Sequence, residues 1–328
     1  MYFLERLLDF IKIVINFKLI NIQMTNINNR VSADIINKLK YVLITPAKNE
    51  ELNIEKTIQS MVSQTVKPEK WVIVSDGSTD KTDDIVRKYM DNNNWIHLLR
   101  MPENRDRNFA AKVVCFDAGY QEVGKLDYDI IGNLDADTSF DEKHFEFLLE
   151  KFAEIPELGV AGTPFFEEDF QYNYNYVSIE HVWGWCQLFR RECYKEIGGY
   201  IPIKGGGIDL VAVITARMKG WKTRTFTEKI INHHRKMGTG KSRILAAKFR
   251  FGIEDYYLGG HPLWEILRCI YQMKSSPIIL GGLAIYLGYL YAFISRQNRP
   301  ITNEFVKFRR KEQMHRLNAI LFGNKQAH

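Results

Sequence analysis

The sequence predicts an α/β fold built on a mainly parallel sheet, and three observations carry that reading. Short apolar runs alternate with segments of helical spacing. Each apolar run ends in a polar cluster. The runs lie too far apart for hairpins and far enough apart for helical crossovers. A chain of 328 residues with 45% hydrophobic content can bury a full core and fits two domains or one enlarged domain. No internal repeat or low-complexity tract interrupts the pattern.

Taken in order, "YVLIT" is a first strand that ends in "PAKNE", and "LNIEKTIQSMVSQ" then places Ile54, Ile58, Met61 and Val62 at helical spacing. "WVIVS" is a second strand ending in "DGSTDKT", followed by the helix "DDIVRKYMDN". "IHLLR", the helix through "FAAKVVCFDAGYQEV", the strand "YDIIGNL" and the helix "HFEFLLEKFAE" continue the alternation, before "GVAGTPF". Ligands of an open parallel sheet bind beyond the carboxyl ends of its strands. The clusters Pro46 to Glu50, Asp76 to Asp80 and Asp135 to Asp137 are therefore expected along one sheet edge.

Asp135 and Asp137 stand two apart where an apolar run ends. Ionised carboxylates at such a mouth repel each other and resist desolvation, so a divalent cation is the first candidate to compensate them. Asp137 is expected to be exposed. The alternative is a solvated loop running into a helix that Asp141 would cap. Neither the glycine-rich dinucleotide fingerprint nor a GxxxxGK[ST] loop follows the first strand. Metal-bridged phosphate fits better than either standard phosphate cradle.

The net charge of +6 is uneven. Basic residues dominate from Arg235 to Lys274 and again in the tail from Arg296, interleaved with aromatic and apolar side chains. That mixture suits an anionic membrane surface and argues against nucleic acid. The four cysteines, Cys115, Cys186, Cys193 and Cys269, include no CxxC pair and read as thiols, not as a zinc site or disulfide framework. The N-terminal segment 1–38 carries charges through its apolar run, which spoils a signal peptide and favours an amphipathic helix on a surface. Met24 is an alternative start. "SPIILGGLAIYLGYLYAFIS" approaches the length of a membrane span. With basic residues on both flanks and Pro277, Gly281 and Gly282 breaking the run, a re-entrant or interfacial hairpin fits as well, and a hairpin buried in a dimer is the soluble alternative. The expected organisation is thus 1–38 amphipathic, 39–240 catalytic and 241–328 membrane-associated helices with a basic tail.

The run "TPAKNEELNIEKTIQSMVSQTVKPEKWVIVSDGSTDKTDDIV", followed by "LDADT", resembles the nucleotide-sugar-binding half of family-2 glycosyltransferases, over roughly Lys40 to Arg235. The resemblance implies the GT-A fold, with a Rossmann-like sheet flanked by helices. It implies donor contacts from Pro46, Ala47, Asn49 and Glu50 in the first loop and from Asp76, with Ser75 standing where the family usually has another acid. Lys112 is implied near base or phosphate. Asp135 is implied toward ribose and metal, Asp137 on the metal, and His233 or His234 in the metal shell, with Mg2+ or Mn2+ as the ion. Arg235 is implied on the diphosphate. Asp209 matches the general base, although Ile208 replaces its usual acidic companion; Asp209 also suits a helix N-cap. On the acceptor side stand Trp185 with Trp183, Arg190 or Arg191, and the glycine run through Gly207.

The expectation is an inverting, metal-dependent glycosyltransferase on the cytoplasmic face of the cell membrane. Its donor is expected to be a nucleotide sugar, UDP-linked ahead of GDP-linked, and its acceptor a glycan or lipid-linked sugar. Homo-oligomerisation is left open. A polyprenyl-phosphate sugar synthase is the nearest alternative. A sugar-1-phosphate nucleotidyltransferase or a non-catalytic glycan-binding protein are alternatives of other classes.

Overall fold

The computed structural model describes residues 39–103, 109–166, 178–234, 241–274 and 276–322. The N-terminal segment 1–38, Arg235 and the end of the basic tail lie outside them. Strands β1 (Tyr41–Ala47), β2 (Lys70–Ser75), β3 (Ile96–Arg100) and β4 (Ile130–Leu134) alternate with helices α1 (Ile54–Val62), α2 (Thr82–Met90) and α3 (Phe109–Val123). The four strands pair in parallel, with β1 between β2 and β4 and β3 at the edge. The period of two sorts their side chains onto two faces. Val42, Ile44, Val72 and Val74 join one core with Val113 and Phe116 of α3. Tyr41, Leu43, Trp71 and Ile73 join the other with Ile54 and Ile58 of α1.

After β4 come β5 (Thr138–Ser139), α4 (His144–Glu154), β6 (Leu158–Gly162), β7 (Phe165–Phe166) and β8 (Cys186–Arg190). These are followed by α5 (Arg191–Glu196), α6 (Ile208–Met218), β9 (Lys222–Thr225) and β10 (Ile231–His233). β8 inserts antiparallel between β4 and β6, pairing Leu134 with Cys186 and Ile130 with Arg190. The reversal has a direct consequence for function. It brings residues just before β8 to the carboxyl end of β4 and carries Arg190 to the opposite edge. A small second sheet of β5, β10 and β7 closes over the same carboxyl end, with His233 opposite Thr138.

The C-terminal helices are α7 (Lys241–Tyr257), α8 (Pro262–Gln272), α9 (Leu280–Ile294) and α10 (Asn303–Phe322). α7 and α9 cross at glycines: a Cβ on Gly252 would lie 1.9 Å from the Ile285 carbonyl, and one on Gly288 would lie 1.9 Å from the Phe249 carbonyl. Tyr256, Leu258, Tyr289 and Phe305 belong to the same core cluster as Val42, so packing runs continuously across residue 240. Arg217 of α6 forks onto Glu312 of α10 at 2.6 and 3.0 Å. A buried ionic cluster joins α7, α8 and α10: Asp255 meets Arg309 at 2.5 Å and Arg268 at 3.2 Å, and Arg268 meets Glu265 at 3.3 Å.

The spanning reading of the apolar run near the C-terminus is not met. Among the described residues no helix is long and apolar enough to cross a membrane. The 15 residues of α9 extend about 22 Å at 1.5 Å per residue, short of a hydrocarbon core of about 30 Å.

Candidate functional site

The first two loops are laced together because β1 and β2 are parallel neighbours whose carboxyl ends coincide. The Asn49 N–H donates to Ser78 Oγ at 3.1 Å, and Asn49 Oδ1 accepts the Thr79 N–H at 2.9 Å. The Glu50 N–H donates to Thr82 Oγ1 at 2.8 Å and the Glu51 N–H to Asp80 Oδ2 at 3.0 Å. Asn49, at φ 55, therefore spends its amide on loop architecture. Asp76 is buried, its backbone N–H donates to the Ala47 carbonyl at 2.8 Å, and its carboxylate meets the Lys48 ammonium at 3.0 Å. Pro46 and Ala47 are paired with Val74 and Ser75 in the ladder beneath this loop pair. Lys48, which the motif "PAKNE" contains, was a partner that sequence reasoning passed over.

At the mouth of β4, Asp135 Oδ1 accepts Lys112 Nζ at 2.5 Å and Asn133 Nδ2 at 3.2 Å. Burial pushes the Asp135 carboxyl up; the Lys112 ammonium opposes that, and the neighbouring Asp137 charge reinforces it. Asn133, a polar residue inside the run "IIGNL", also donates to the Gly184 carbonyl at 2.5 Å. Sequence reasoning missed it, although an amide in a fully buried strand has to find partners.

Asp137 is buried, not exposed as expected, because the second sheet folds over it. Its Oδ2 lies 3.3 Å from His233 Nε2, and its backbone carbonyl accepts the His234 N–H at 2.9 Å. His234 turns its ring instead to Ser139 Oγ at 2.8 Å, so His233 is the histidine that faces the carboxylate. Asp141 does not cap α4, whose N-cap is Lys143 with no side-chain cap; its Oδ1 accepts the Lys143 N–H at 2.9 Å in the turn before the helix and meets Lys229 at 2.7 Å.

No group of three or more His, Cys, Asp or Glu side chains that could hold a metal ion is assembled among the described residues. Asp137 and His233 form a two-member set. That fits Mg2+ or Mn2+ in the manner of sites where one or two protein ligands share the ion with substrate phosphates and water.

Asp209 lies in the first turn of α6, whose N-cap is Gly207 at φ 81 with no side-chain cap. The capping alternative for Asp209 is therefore not followed. Its Oδ2 accepts the Gly184 N–H at 3.0 Å, and its backbone carbonyl is within 3.5 Å of Gln187 Nε2, whose amide oxygen accepts the Tyr200 hydroxyl at 2.6 Å. One residue, Gly184, thereby links Asp209 to Asn133 and so to Asp135. Trp185 packs against His233 and Phe165, with ring centroids 4.4 and 4.6 Å apart, and its carbonyl accepts the Asp135 N–H at 2.8 Å. Trp183 lies against His181 at 4.2 Å.

Arg190 corrects the expected acceptor set. It sits opposite Ile130 at the far end of β4 and donates to the carbonyls of Leu158 at 3.2 Å and Phe152 at 2.8 Å. Arg191 is similarly spent, on the carbonyls of Tyr128 and Gly124 at 3.2 and 3.3 Å. Both are scaffold for the sheet's opposite edge. Gly207, by contrast, is at the Asp209 side. Arg235 lies outside the described residues.

Residues 42–211, just over half of the chain, match the family described as Glycosyl transferase family 2. A stretch of 117 residues is 31% identical to poly-beta-1,6-N-acetyl-D-glucosamine synthase of Staphylococcus aureus and 26% identical to that of Staphylococcus epidermidis. The match covers 35% of this chain and 26% of those proteins, so the aligned part is about a quarter of their length. Among solved structures, a mannosyltransferase of Pyrobaculum calidifontis in complex with GDP-Man and Mn2+ superposes with a TM-score of 0.54 at 17% identity, covering 88% of each chain. TarS 1–349 of S. aureus, in complex with UDP-GlcNAc, superposes with a TM-score of 0.50 at 14% identity, covering 65% of this chain and 66% of that one. At these identities the structural likeness establishes a GT-A-like fold.

Proposed function

The chain belongs to glycosyl transferase family 2, and from that premise we propose that it is an inverting, metal-dependent enzyme. It moves a sugar from a nucleoside diphosphate donor to a hydroxyl of a glycan or lipid-linked acceptor. The observation that carries the reading is the convergence at one strand mouth of Asp137 beside His233, Asp135 beside Lys112, and Asp209 fastened to Gly184. A nucleotidyl-transfer or purely glycan-binding role has no comparable support.

In this reading the Asp76 loop holds the nucleotide base. Asp135, oriented by Asn133 and Lys112, faces the ribose, and the Lys112 ammonium offsets phosphate charge. A divalent cation held by Asp137 and His233 would supply Lewis-acid stabilisation of the departing diphosphate. Asp209 takes the proton of the acceptor hydroxyl. The acceptor oxygen then forms the new bond to the anomeric carbon as the bond from that carbon to the diphosphate oxygen breaks, and the electron pair leaves with the nucleoside diphosphate.

We place the protein at an anionic membrane surface. Ile278, Ile279, Leu280 and Ile294 are each more than half exposed at the ends of α9, and Lys274 and Arg296 are exposed nearby in sequence. An open apolar groove of about 370 Å³ between α7 and α9, lined by residues that include Leu245, Phe249, Leu283 and Leu287, favours an acceptor carrying a lipid. That keeps a lipid phosphate as the second acceptor reading.

The test is a screen of UDP- and GDP-linked sugars, UDP-N-acetylglucosamine first, for thermal stabilisation and hydrolysis with and without Mn2+. Turnover that needs the metal is expected. Stabilisation by no sugar nucleotide, or undiminished turnover in chelator, overturns the reading.

A further inference from the structure

Beyond the expected site, one carboxyl close to Asp209 comes from an element that sequence reasoning assigned to the membrane region. Glu254 lies on α7, and its two oxygens face the glycine run that precedes α6. A side chain beginning at Gly207 would stand 3.1 Å from Glu254 Oε1, and one beginning at Gly206 would stand 3.3 Å from Oε2. The same Gly206 position lies 3.4 Å from the ring of Phe109, which begins α3 one turn before Lys112. The carboxyl therefore sits where the acceptor loop, the general-base helix and the helix bearing Lys112 come together.

Its surroundings leave it in need of donors. Burial and then the charge of Asp209 raise its pKa to about 7; Arg268 of α8 and Arg309 of α10 oppose this, while Asp255 on its own helix reinforces it. Tyr257, also on α7, feels the Glu254 charge in turn. Both arginines are engaged elsewhere, Arg309 with Asp255 at 2.5 Å and Arg268 with Asp255 and Glu265 at 3.2 and 3.3 Å. Among the described residues no hydrogen bond or ion pair reaches the Glu254 carboxyl itself. A half-buried carboxylate without protein donors gains from a ligand that supplies them. Sugar hydroxyls are the donors a glycosyl acceptor brings, and adjacent hydroxyls on one ring can meet two neighbouring carboxylates.

Resting on the proposed transfer reaction, we infer that Glu254 is an acceptor-binding residue, accepting a hydrogen bond from the sugar hydroxyl adjacent to the one that Asp209 deprotonates. The glycines at 206 and 207 follow from this: at φ +114 and +81 they suit the backbone turn, and their missing side chains leave the carboxyl its approach.

The experiment measures transfer from UDP-N-acetylglucosamine to a short β-1,6-linked N-acetylglucosamine oligomer, with Mn2+, for the full chain and for Glu254→Gln and Glu254→Asp. Glu254→Gln keeps an acceptor oxygen but loses its charge, so it should raise the acceptor KM about five- to tenfold, the difference between a hydrogen bond to a charged group and one to a neutral group. Equilibrium affinity for UDP and the thermal midpoint should hold, and Glu254→Asp should recover part of the loss. In the wild type the acceptor KM should fall as pH rises through about 7, because the ionised form is the acceptor of the hydrogen bond; Glu254→Gln should lack that inflection. An unchanged acceptor KM and pH profile in Glu254→Gln, beside an active wild type, overturns this inference alone. Equal losses of UDP affinity and acceptor affinity overturn it in favour of a structural role. A wild type that neither binds nor turns over any sugar nucleotide fails at the functional reading itself, and this inference falls with it.

Discussion

Asp209 accepts the backbone N–H of Gly184 through Oδ2 at 3.0 Å, and that bond fastens the first turn of α6 to the segment entering β8. Gly184 is placed to donate it because β8 runs antiparallel to β4. Its carbonyl accepts the Asn133 amide, which also reaches Asp135. A side chain at position 184 would begin 3.2 Å from Asp209 Cβ, so the close approach relies on glycine. The proposed base and the proposed donor-side carboxylate are thus held in register through the backbone of one residue, with the other Asp209 oxygen proposed for the acceptor.

Asp209→Asn keeps an oxygen that can accept the Gly184 N–H, so the fold and UDP affinity should be preserved. Transfer should fall by about two to four orders of magnitude, the usual worth of a general base. Steady-state transfer beside equilibrium UDP binding makes the check. A parallel collapse of both would assign Asp209 to structure or to donor binding.

Asp137→Asn should abolish metal-dependent donor turnover. Asparagine is the informative choice because Asp137 is buried beside His233, and alanine would leave a polar cavity there. Asparagine keeps an oxygen facing His233, so the variant should remain folded, and its thermal midpoint without metal serves as the control. Stabilisation of the wild type by Mn2+ with UDP, absent in Asp137→Asn, is the second readout. Full turnover in the variant would sink the assignment.

The parallel half of the fold was legible because β1, β2 and β4 are almost wholly buried apolar runs and α1 and α2 are amphipathic. β8 was not read as a strand. "CQLFR" is short, and its neighbours "VWGW" and "RREC" suggest a ligand-facing segment. Its alternation becomes visible only when Leu188 and Phe189 are seen to serve opposite cores. That omission also explains the misplacement of Arg190, since an antiparallel return inverts which end of the segment meets the site. Asp135 and Asp137 stood out by their spacing and by the resemblance, and Asp209 by the resemblance alone; the structure brings the three to one strand mouth. Glu254 was not, because its approach to Asp209 depends on how α7 packs behind the glycine loop, a long-range contact with no local signature.

The buried cluster of the C-terminal helices should make stability depend on pH. Burial raises the Glu265 carboxyl to about 8, with Arg268 opposing and Asp255 reinforcing the rise. The folded protein therefore holds a proton that the unfolded chain releases near pH 4.5, and stability declines as pH climbs from about 4.5 through 8. Glu265→Gln cannot lose that proton. Its denaturation midpoint should change less than that of the wild type between pH 5 and pH 8.5, and the two curves should diverge toward the alkaline end. Identical pH slopes for both proteins would mean that Glu265 titrates normally in the fold.

Membrane attachment is tested by substitution rather than truncation, because Tyr289, Ala292 and Phe305 are core residues and removing the chain from residue 275 onward would open that core. Ile278 and Ile294 are 69% and 70% exposed, so changing them to glutamate should leave the folded monomer's stability nearly untouched. On a lipid surface each loses apolar burial worth roughly 1.5–3 kcal/mol at full insertion and adds a charge repelled by anionic headgroups. Basic residues near the bilayer contribute about 1 kcal/mol each, screened by salt, whereas the apolar contribution is not screened. The wild type should therefore float with anionic liposomes at low salt and retain part of that binding at high salt. The double variant Ile278→Glu with Ile294→Glu should bind weakly at low salt and not at all at high salt. Equal flotation of both proteins at high salt would move the attachment site away from α9.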